Sequence, residues 1–216
     1  LPFAMLPLGS GDDLPRIFSM PPQPQDAARV LLSGRVRQVD LAKVGGRVFA
    51  GLAGVGFVSA ANRFANEQVH RVRGRLSYPW AILNTLFSYR PQPLELHSEG
   101  RAFTGGVLLA AVANGGFYGG GFRLAPRAQL DDGLLDVCIV PPLGWGEILR
   151  WAPRAYRGTH LAHPRIQYFQ TPRVTLGSPV RMDLYADGEY IQMLPATIEA
   201  IPRALKVVVP DCSAGL

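Results

Sequence analysis

Residues 112–140 read VANGGFYGGGFRLAPRAQLDDGLLDVCIV, and their pattern is the clearest guide to the architecture. An apolar run ends here, a glycine-rich segment follows, and a second apolar run begins after the turn Asp131-Asp132-Gly133. Apolar runs of about four to eight residues bounded by glycine and aspartate are typical of buried β-strands. A plain turn needs only one acidic residue, so the second one makes this turn a candidate site as well.

The composition is that of a packed globular protein. The chain has 216 residues, of which 48% are hydrophobic and 18% charged, and this excludes a disordered chain. Its 24 glycines and 19 prolines are spread along the sequence and favour many short strands joined by turns. No apolar run approaches the roughly 18–20 residues that a membrane-spanning helix needs. Two cysteines, Cys138 and Cys212, cannot form a disulfide framework, which makes the cytosol the default compartment.

The first residues, LPFAMLPLG, lack an initiator methionine and a signal-peptide pattern, and they resemble the middle of a strand. We therefore expect the sequence to be a fragment, or the processed part, of a longer protein. A glycine-containing loop (residues 9–13) then leads into the short helical pattern LPRIF. A strand, a loop and a helix start in this order leave backbone N–H groups free to meet a phosphate.

The remaining pattern predicts about a dozen strands and three or four helices. Gly45-Gly46 between VDLAKV and RVFAGL predicts a two-residue hairpin. Apolar spacing predicts helices over 26–33, 59–70, 77–89 and 145–156, with Gly34 ending the first. Further strands are predicted in PLELHSE, GGVLLAAVANG, LLDVCIV, IQYFQ, RVTL, VRMDLYA, EYIQMLPATIEAI and ALKVVVP. The fold class is therefore mostly β with inserted helices: a β-sandwich preceded by about 20 residues in the style of an α/β domain.

Three acidic segments are candidate sites: Asp12/Asp13, Asp131/Asp132 and Asp187/Glu189. Asp-Gly at 132–133 and at 187–188 is ordinary turn chemistry, and the first pair suits the positive end of a helix. From the residues alone, Asp132 remains a turn residue, a metal ligand or an acid–base catalyst.

Other motifs are incomplete. GLAGVGF (51–57) and NGGFYGGGF (114–122) lack the G-x-G-x-x-G order of a dinucleotide-binding loop. His160 and His163 have an H-x-x-H spacing but no further zinc ligands, so we expect surface or capping residues. No G-x-S-x-G motif of a serine hydrolase occurs.

The motifs LPLGSGDD, residues 112–140 and DGEYIQMLP, in this order and spacing, resemble the diacylglycerol kinase catalytic family, which includes relatives of sphingosine and ceramide kinases. The resemblance extends over nearly the whole chain, because VDLAKVGGRVFAGLAGVGF, RGRLSYPWAILNTLFSYRP and IPRALKVVVP match as well. It implies an α/β nucleotide-binding domain with a Gly-Gly-Asp-Gly-Thr loop and a C-terminal β-sandwich that holds the lipid. Residues 1–22 and 203–216 would then belong to the nucleotide-binding domain and 23–202 to the sandwich, with the loop missing from this sequence.

The same resemblance implies roles for single residues. Ser10 and Asp13 take the positions of Thr and Asp in the family's G-T-x-N-D motif and would bind ATP. Asp12 stands where the family has Asn, which places a negative charge near the expected phosphates. Glu189 takes the place of the general base.

The acidic turn takes the position of a metal site in the family. Asp132 would bind Mg²⁺ through its carboxylate, and Asp131 has no assigned role. The remaining protein ligands would be the backbone carbonyls of Gln129 and Leu134, completed by water. Mg²⁺ prefers oxygen ligands of this kind.

The resemblance implies an ATP-dependent lipid kinase of phospholipid metabolism, which phosphorylates the free hydroxyl of a membrane lipid. Such a reaction needs a base near the hydroxyl and cations near the phosphates. The net charge of +6 favours peripheral contact with the inner face of the cytoplasmic membrane. The 216 residues alone should be inactive or nearly so, because the nucleotide loop is missing.

Alternatives remain open at this level. The chain could be a lipid-binding or lipid-carrying module that is derived from the kinase fold and does no catalysis. A nucleic-acid-binding protein ranks lower, because basic and aromatic residues are not clustered. The acceptor lipid could be diacylglycerol, a sphingoid base or phosphatidylglycerol, and the oligomeric state is open.

Overall fold

The computed structural model of the chain describes residues 1–9, 11–68, 85–86 and 89–211. The helices are α1 (Asp13–Ile17), α2 (Pro24–Ser33), α3 (Phe57–Gln68) and α4 (Trp145–Tyr156), with a 3₁₀ helix at His160–Ala162. The strands are β1 (Arg35–Val44), β2 (Arg47–Phe49), β3 (Leu52–Gly56), β4 (Gln92–Ser98), β5 (Arg101–Val107), β6 (Leu109–Ala113), β7 (Leu135–Val140), β8 (Gln167–Thr171), β9 (Arg173–Gly177), β10 (Asp183–Ala186), β11 (Glu189–Met193) and β12 (Ala196–Val209).

The strands form two six-stranded sheets whose hydrogen-bonded neighbours are antiparallel. The first has the order β2-β1-β12-β9-β4-β5 and the second the order β11-β10-β3-β6-β7-β8. Buried side chains from both sheets share one apolar core, including Leu96 and Ile198 from the first sheet and Val55, Leu135 and Leu184 from the second. The predicted β-sandwich with inserted helices is therefore confirmed.

The central strands of the second sheet are buried on both faces. Every residue of β3, β6 and β7 is buried. Their outer side chains pack against a second apolar cluster, to which Val58 of α3, Ile148 of α4 and Leu124 of the intervening loop contribute. This explains why the strands read as continuous apolar runs in the sequence rather than as alternating ones. Within the described part of the chain, no helix is long and apolar enough to span a membrane.

Most predicted local elements are present. Gly45 and Gly46 have φ of 56° and 76° and close the β1–β2 hairpin, as a two-residue turn with both residues at positive φ requires. Helix α2 ends before Gly34, and α4 has the predicted bounds. Most of the helix predicted over 77–89 lies outside the described residues.

Two strand predictions are wrong. The strand predicted in GGVLLAAVANG is divided, because β5 ends at Val107 and β6 begins at Leu109. Residues 189–201 do not form a single strand, because β11 ends at Met193 and β12 begins at Ala196. Pro195 has no N–H to give to a ladder, so the pairing stops there. Strand β12 then continues through the segment 204–210, up to Val209, which the pattern treats as a separate strand.

The first residues of the chain pair with the end of β12. Phe3 lies parallel to Val207, with its N–H 2.6 Å from the carbonyl of Lys206 and its carbonyl 2.9 Å from the N–H of Val208. A third apolar cluster lies here and contains Phe18, Met20, Ala27, Val39, Leu130, Val207 and Val209. The division of the chain at residues 22 and 202 stays a prediction, and β12 crosses its second boundary as one strand.

Candidate functional site

Helix α1 joins the GSGDD segment to the glycine-rich loop. Asp13 begins the helix, and the Gly120 N–H lies 3.1 and 3.0 Å from its two carboxylate oxygens. Arg16 lies 3.3 Å from the same carboxylate and also donates to the carbonyl of Gly11. Burial raises the pKa of Asp13, while the Gly120 N–H and the Arg16 charge act in the opposite direction. Ser10, predicted to bind ATP, lies outside the described residues.

The other end of α1 packs on two glycines that are distant in sequence. A Cβ atom on Gly115 would lie 2.5 Å from Cδ1 of Ile17, and one on Gly51 would lie 3.5 Å from the same atom and 2.6 Å from Oδ1 of Asp187. A larger residue at either position would therefore force Ile17 or Asp187 to move. Helix α1, the glycine-rich loop and the turn at Asp187 therefore meet in one place.

Asp187 is an anchor of this turn. It has a left-handed backbone, with φ of 46°. Its carboxylate accepts N–H groups from three consecutive residues: Ala50 (2.9 Å), Gly51 (3.1 and 3.2 Å) and Leu52 (2.9 Å). These bonds fix the connection between β10 and β11 against the start of β3.

Glu189, two residues further on, is in a different environment. Its side chain is 77% exposed, and its carboxylate lies 3.3 Å from the guanidinium of Arg47. It lines a cleft of about 240 Å³ together with Phe49, Asp187 and Ile191. A carboxylate in this position can be reached by a substrate hydroxyl.

The acidic turn is held by hydrogen bonds to both carboxylate oxygens of Asp132. Oδ1 of Asp132 accepts the N–H of Leu134 (3.0 Å), and its Oδ2 accepts the side-chain amide of Gln170 (3.1 Å). Asp131, which has no role in the sequence-based prediction, forms an ion pair of 2.8 Å with Arg37. The first acid therefore ties the turn to β1, and the second shapes the turn itself.

A second carboxylate lies close to Asp132. Asp136 is fully buried and accepts hydrogen bonds from the Tyr168 hydroxyl (2.5 Å) and from the Gln170 amide (3.3 Å). Burial raises the pKa of Asp136, and the charge of Asp132 raises it further. The hydrogen bonds from Tyr168 and Gln170 act on this pKa in the opposite direction, and Gln170 bridges the two carboxylates.

The donor chemistry of this turn fits Mg²⁺. Asp132 offers a carboxylate, and Gln129 and Leu134 offer backbone carbonyls, all of them oxygen ligands of the kind that Mg²⁺ prefers. Across the described ranges, no three His, Cys, Asp or Glu side chains are grouped so that they could hold a metal ion. A metal here would therefore depend on the carbonyls and on water as well as on Asp132.

Sequence reasoning missed the buried carboxylate of Asp40. This residue is 1% exposed, and its two oxygens accept the N–H groups of Gly133 and Arg203, each at 2.7 Å. It lies where the pairing of β1 with β12 shifts register, between Val39 and Leu41. An acidic residue within the apolar run VDLAKV is the signal that could have identified it.

Asn114 is the second missed residue. It is 1% exposed, and its side-chain amide donates to the carbonyls of Asp40 (3.0 Å) and Ala50 (2.9 Å). Its Oδ1 has no hydrogen-bond partner among the residues that the structure describes. Asp40 binds Gly133 of the acidic turn, and Ala50 binds Asp187. Asn114 therefore links the acidic turn to the turn at Asp187.

The predicted site residues are therefore joined in two groups. Asp13 begins α1, and Ile17 at the other end of this helix packs on Gly51, which binds Asp187. Glu189 follows Asp187 by two residues, in the cleft beside Arg47. Asp132 lies in the turn that is connected to the segment around Ala50 through Asp40 and Asn114. Within the described part of the chain, no hydrogen bond or ion pair joins Asp132 directly to Asp13 or Glu189.

Of the two roles expected for the histidine pair, surface or capping, the surface position is wrong for both residues. His160 and His163 are 2% and 4% exposed. His163 accepts the N–H of Arg165 at Nδ1 (3.1 Å), which is a capping role, and Nε2 of His160 lies 3.9 Å from the sulfur of Cys138. Burial lowers the pKa of His160 and raises the pKa of Cys138 to about 12. Both groups are neutral parts of the core.

Comparison with known proteins assigns the chain to a family. Residues 1–44 match the family model described as diacylglycerol kinase catalytic domain, and residues 51–209 match the YegS C-terminal NAD kinase beta sandwich-like domain. A diacylglycerol kinase of Bacillus subtilis (strain 168) is 30% identical over 207 residues, which cover 95% of this chain and 68% of the relative. A diacylglycerol kinase of Mycobacterium tuberculosis (strain ATCC 25618 / H37Rv) is 31% identical over 97% of this chain and 70% of its own length.

A solved structure has the same fold. A crystal structure of a diacylglycerol kinase from Bacillus anthracis str. Sterne superimposes with a TM-score of 0.72 at 20% identity, covering 99% of this chain and 67% of that one. The sequence-based prediction of the family is confirmed by the matches to both family models and by the two bacterial relatives. The chain belongs to the diacylglycerol kinase family of lipid kinases.

Proposed function

We propose that this protein transfers the γ-phosphoryl group of ATP to the hydroxyl of a membrane lipid. The observation that carries the proposal is the meeting of three distant motifs around α1. Asp13 of this helix binds Gly120, and Ile17 packs on Gly115 and beside Asp187. Two of the motifs match positions that the family uses for ATP and for the acceptor, and α1 connects them here.

Glu189 is the general base of this proposal. As the lipid oxygen bonds to the γ-phosphorus and the bond to the ADP oxygen breaks, Glu189 accepts the hydroxyl proton. Asp187 supports this role indirectly, because its three backbone hydrogen bonds fix the turn that carries Glu189. The exposed position of Glu189 in its cleft leaves room for a lipid headgroup.

Ser10 and Asp13 are the proposed nucleotide-side residues, and Asp12 is compatible with that role. Asp12 has a left-handed backbone with φ of 51°, which Asn and Asp adopt more readily than most residues. Its Oδ1 accepts the N–H of Gly9 at 2.9 Å. An Asn side chain could make the same bond, so the replacement keeps the turn.

The acidic turn is the proposed Mg²⁺ site, with Asp132, Gln129 and Leu134 as ligands. A bound Mg²⁺ would offset the negative charge of this region. The turn would support the reaction indirectly, because no hydrogen bond among the described residues joins it to Asp13 or Glu189. It is connected to the segment that binds Asp187 through Asp40 and Asn114.

We place the protein in the cytoplasm, in peripheral contact with the inner face of the membrane. The relatives are named diacylglycerol kinase, so diacylglycerol is the proposed acceptor. A sphingoid base and phosphatidylglycerol also carry a free hydroxyl and serve as comparison substrates.

A direct assay tests the proposed function. The full-length gene product is incubated with γ-labelled ATP, Mg²⁺ and each of the three lipids, and the lipid extract is separated. We expect label in phosphatidic acid from diacylglycerol and its loss in the Glu189→Gln variant. An unlabelled extract from a protein that copurifies with bound lipid contradicts the kinase proposal and supports the lipid-binding module.

The Mg²⁺ site predicts a metal-dependent gain in stability. Binding to the folded state alone raises stability by about 2.7 kcal/mol at a hundredfold excess of metal over its dissociation constant. A chain of this size would then melt several degrees higher. We expect Asp132→Asn to abolish the Mg²⁺-dependent rise in melting temperature, measured by differential scanning fluorimetry against EDTA.

Asp131→Asn is the matched control for this experiment. It removes the neighbouring carboxylate, which pairs with Arg37, and it should keep the Mg²⁺ response. An equal response in wild type and Asp132→Asn would show that the metal binds elsewhere.

A further inference from the structure

We infer that the exposed face of α4 docks on the surface of an anionic lipid bilayer. This inference rests on the proposed function, because a lipid kinase must meet its substrate at a membrane. Trp145, Leu149, Ala152 and Tyr156 are spaced at i, i+4, i+7 and i+11 and form one line along the helix. All four are exposed, with fractions of 43% for Trp145, 66% for Leu149 and 51% for Tyr156.

Basic residues border this line, which we name the α4 stripe. Arg150 within the helix and Arg157 directly after it are exposed. Of the residues that the structure describes, none offers either guanidinium a carboxylate partner. The helix has one acid, Glu147, and it lies 2.6 Å from Arg165. Hydrogen bonding to Arg165 holds the pKa of Glu147 at about 2. The acid is therefore ionised and paired, and the stripe keeps its positive border.

An apolar and aromatic line bordered by arginines fits the surface of an anionic bilayer. Trp and Tyr side chains have an apolar body and a polar tip, which suits the depth of the lipid headgroups. Leu149 adds apolar area that can enter the acyl boundary, and arginines beside it attract anionic lipid. The flank of α4 next to the stripe is fixed to the protein through Ile148, which is buried in the cluster against the second sheet. The stripe therefore lies at the edge of the buried face and remains exposed to solvent.

The stripe ends at the candidate site. The hydroxyl of Tyr156 donates to the carbonyl of Gly120 at 3.1 Å, and its ring lies 4.3 Å from that of Phe122. The N–H of the same Gly120 binds the Asp13 carboxylate. A membrane that covers the α4 stripe would therefore lie beside the loop that holds α1. Docking of the α4 stripe on the membrane would therefore also bring the lipid substrate to the candidate site.

Vesicle binding tests the inference. The full-length gene product is floated with phosphatidylcholine vesicles with and without phosphatidylglycerol. We expect binding that requires phosphatidylglycerol and falls with salt, and a drop of about tenfold in affinity for Trp145→Ser/Leu149→Ser. Arg150→Gln/Arg157→Gln should weaken binding to the anionic vesicles. Leu32→Ser is the matched control, because Leu32 is 91% exposed on α2, away from the stripe.

Activity measurements separate this inference from the proposed function. With a short-chain, water-soluble diacylglycerol, Trp145→Ser/Leu149→Ser should retain the turnover of wild type, and with long-chain diacylglycerol in vesicles it should lose activity. Vesicle binding remains measurable even when no lipid is phosphorylated. Equal vesicle affinity of this variant and wild type overturns the inference. So does a wild-type dimer that the same substitutions convert to a monomer in solution, since the stripe would then bind a second copy.

Discussion

Replacing Glu189 by Gln is expected to lower the turnover number for lipid phosphorylation by about 10²- to 10⁴-fold, the usual contribution of a general base. The amide has the same shape but cannot accept the hydroxyl proton. The side chain is 77% exposed and its ion pair with Arg47 is exposed as well, so the melting temperature should change little. Steady-state kinetics with diacylglycerol and ATP, measured in the full-length gene product, give the turnover number and both Michaelis constants.

Glu95→Gln provides the control for this experiment. Glu95 is an exposed residue of β4 in the first sheet. Its substitution should leave the turnover number and both Michaelis constants unchanged. A turnover number that stays at the wild-type value in Glu189→Gln would show that another group takes the proton. A rise in the Michaelis constant for lipid alone would give Glu189 a binding role.

Replacing Asp40 by Ala should destabilise the protein by about 2–6 kcal/mol, because two backbone N–H groups would lose their acceptor and each costs about 1–3 kcal/mol when buried and unsatisfied. The two groups belong to Gly133 and Arg203, and both bonds measure 2.7 Å. Urea unfolding monitored by circular dichroism gives the difference in the free energy of unfolding.

The comparison for this measurement is Asp131→Ala. It removes a carboxylate whose ion pair with Arg37 is half exposed, and such pairs contribute about 0–1 kcal/mol. Equal unfolding free energies for the two variants would show that water satisfies the N–H groups of Gly133 and Arg203. Asp40 would then contribute no more to the free energy of unfolding than Asp131 does.

Local chemistry made much of the fold predictable. The Gly45-Gly46 hairpin, the bounds of α4 and the apolar runs of the second sheet each follow from a pattern of a few residues. These elements need no distant partner to be recognised. The split at Pro195 was missed because apolar residues continue on both sides of it.

The candidate site was only partly predictable. Asp187 and Glu189 belong to one short motif, yet their environments differ. The carboxylate of Asp187 accepts hydrogen bonds from three backbone N–H groups, whereas that of Glu189 is exposed. This difference depends on where β3 begins, more than 130 positions earlier in the chain. The roles of Asp40 and Asn114 depend likewise on contacts between distant strands. Sequence spacing carries no information on such contacts.

The bond between Asp40 and Arg203 has a geometrical consequence. Arg203 is in the left-handed region, with φ of 53°, in the middle of the long strand β12. Its conformation sets the direction in which residues 204–209 continue along β1 after the register shift, and Phe3 pairs with their end. One buried carboxylate thereby orients the strand beside which the chain enters the GSGDD segment. The path of the first residues of the chain is therefore tied to a hydrogen bond inside the core.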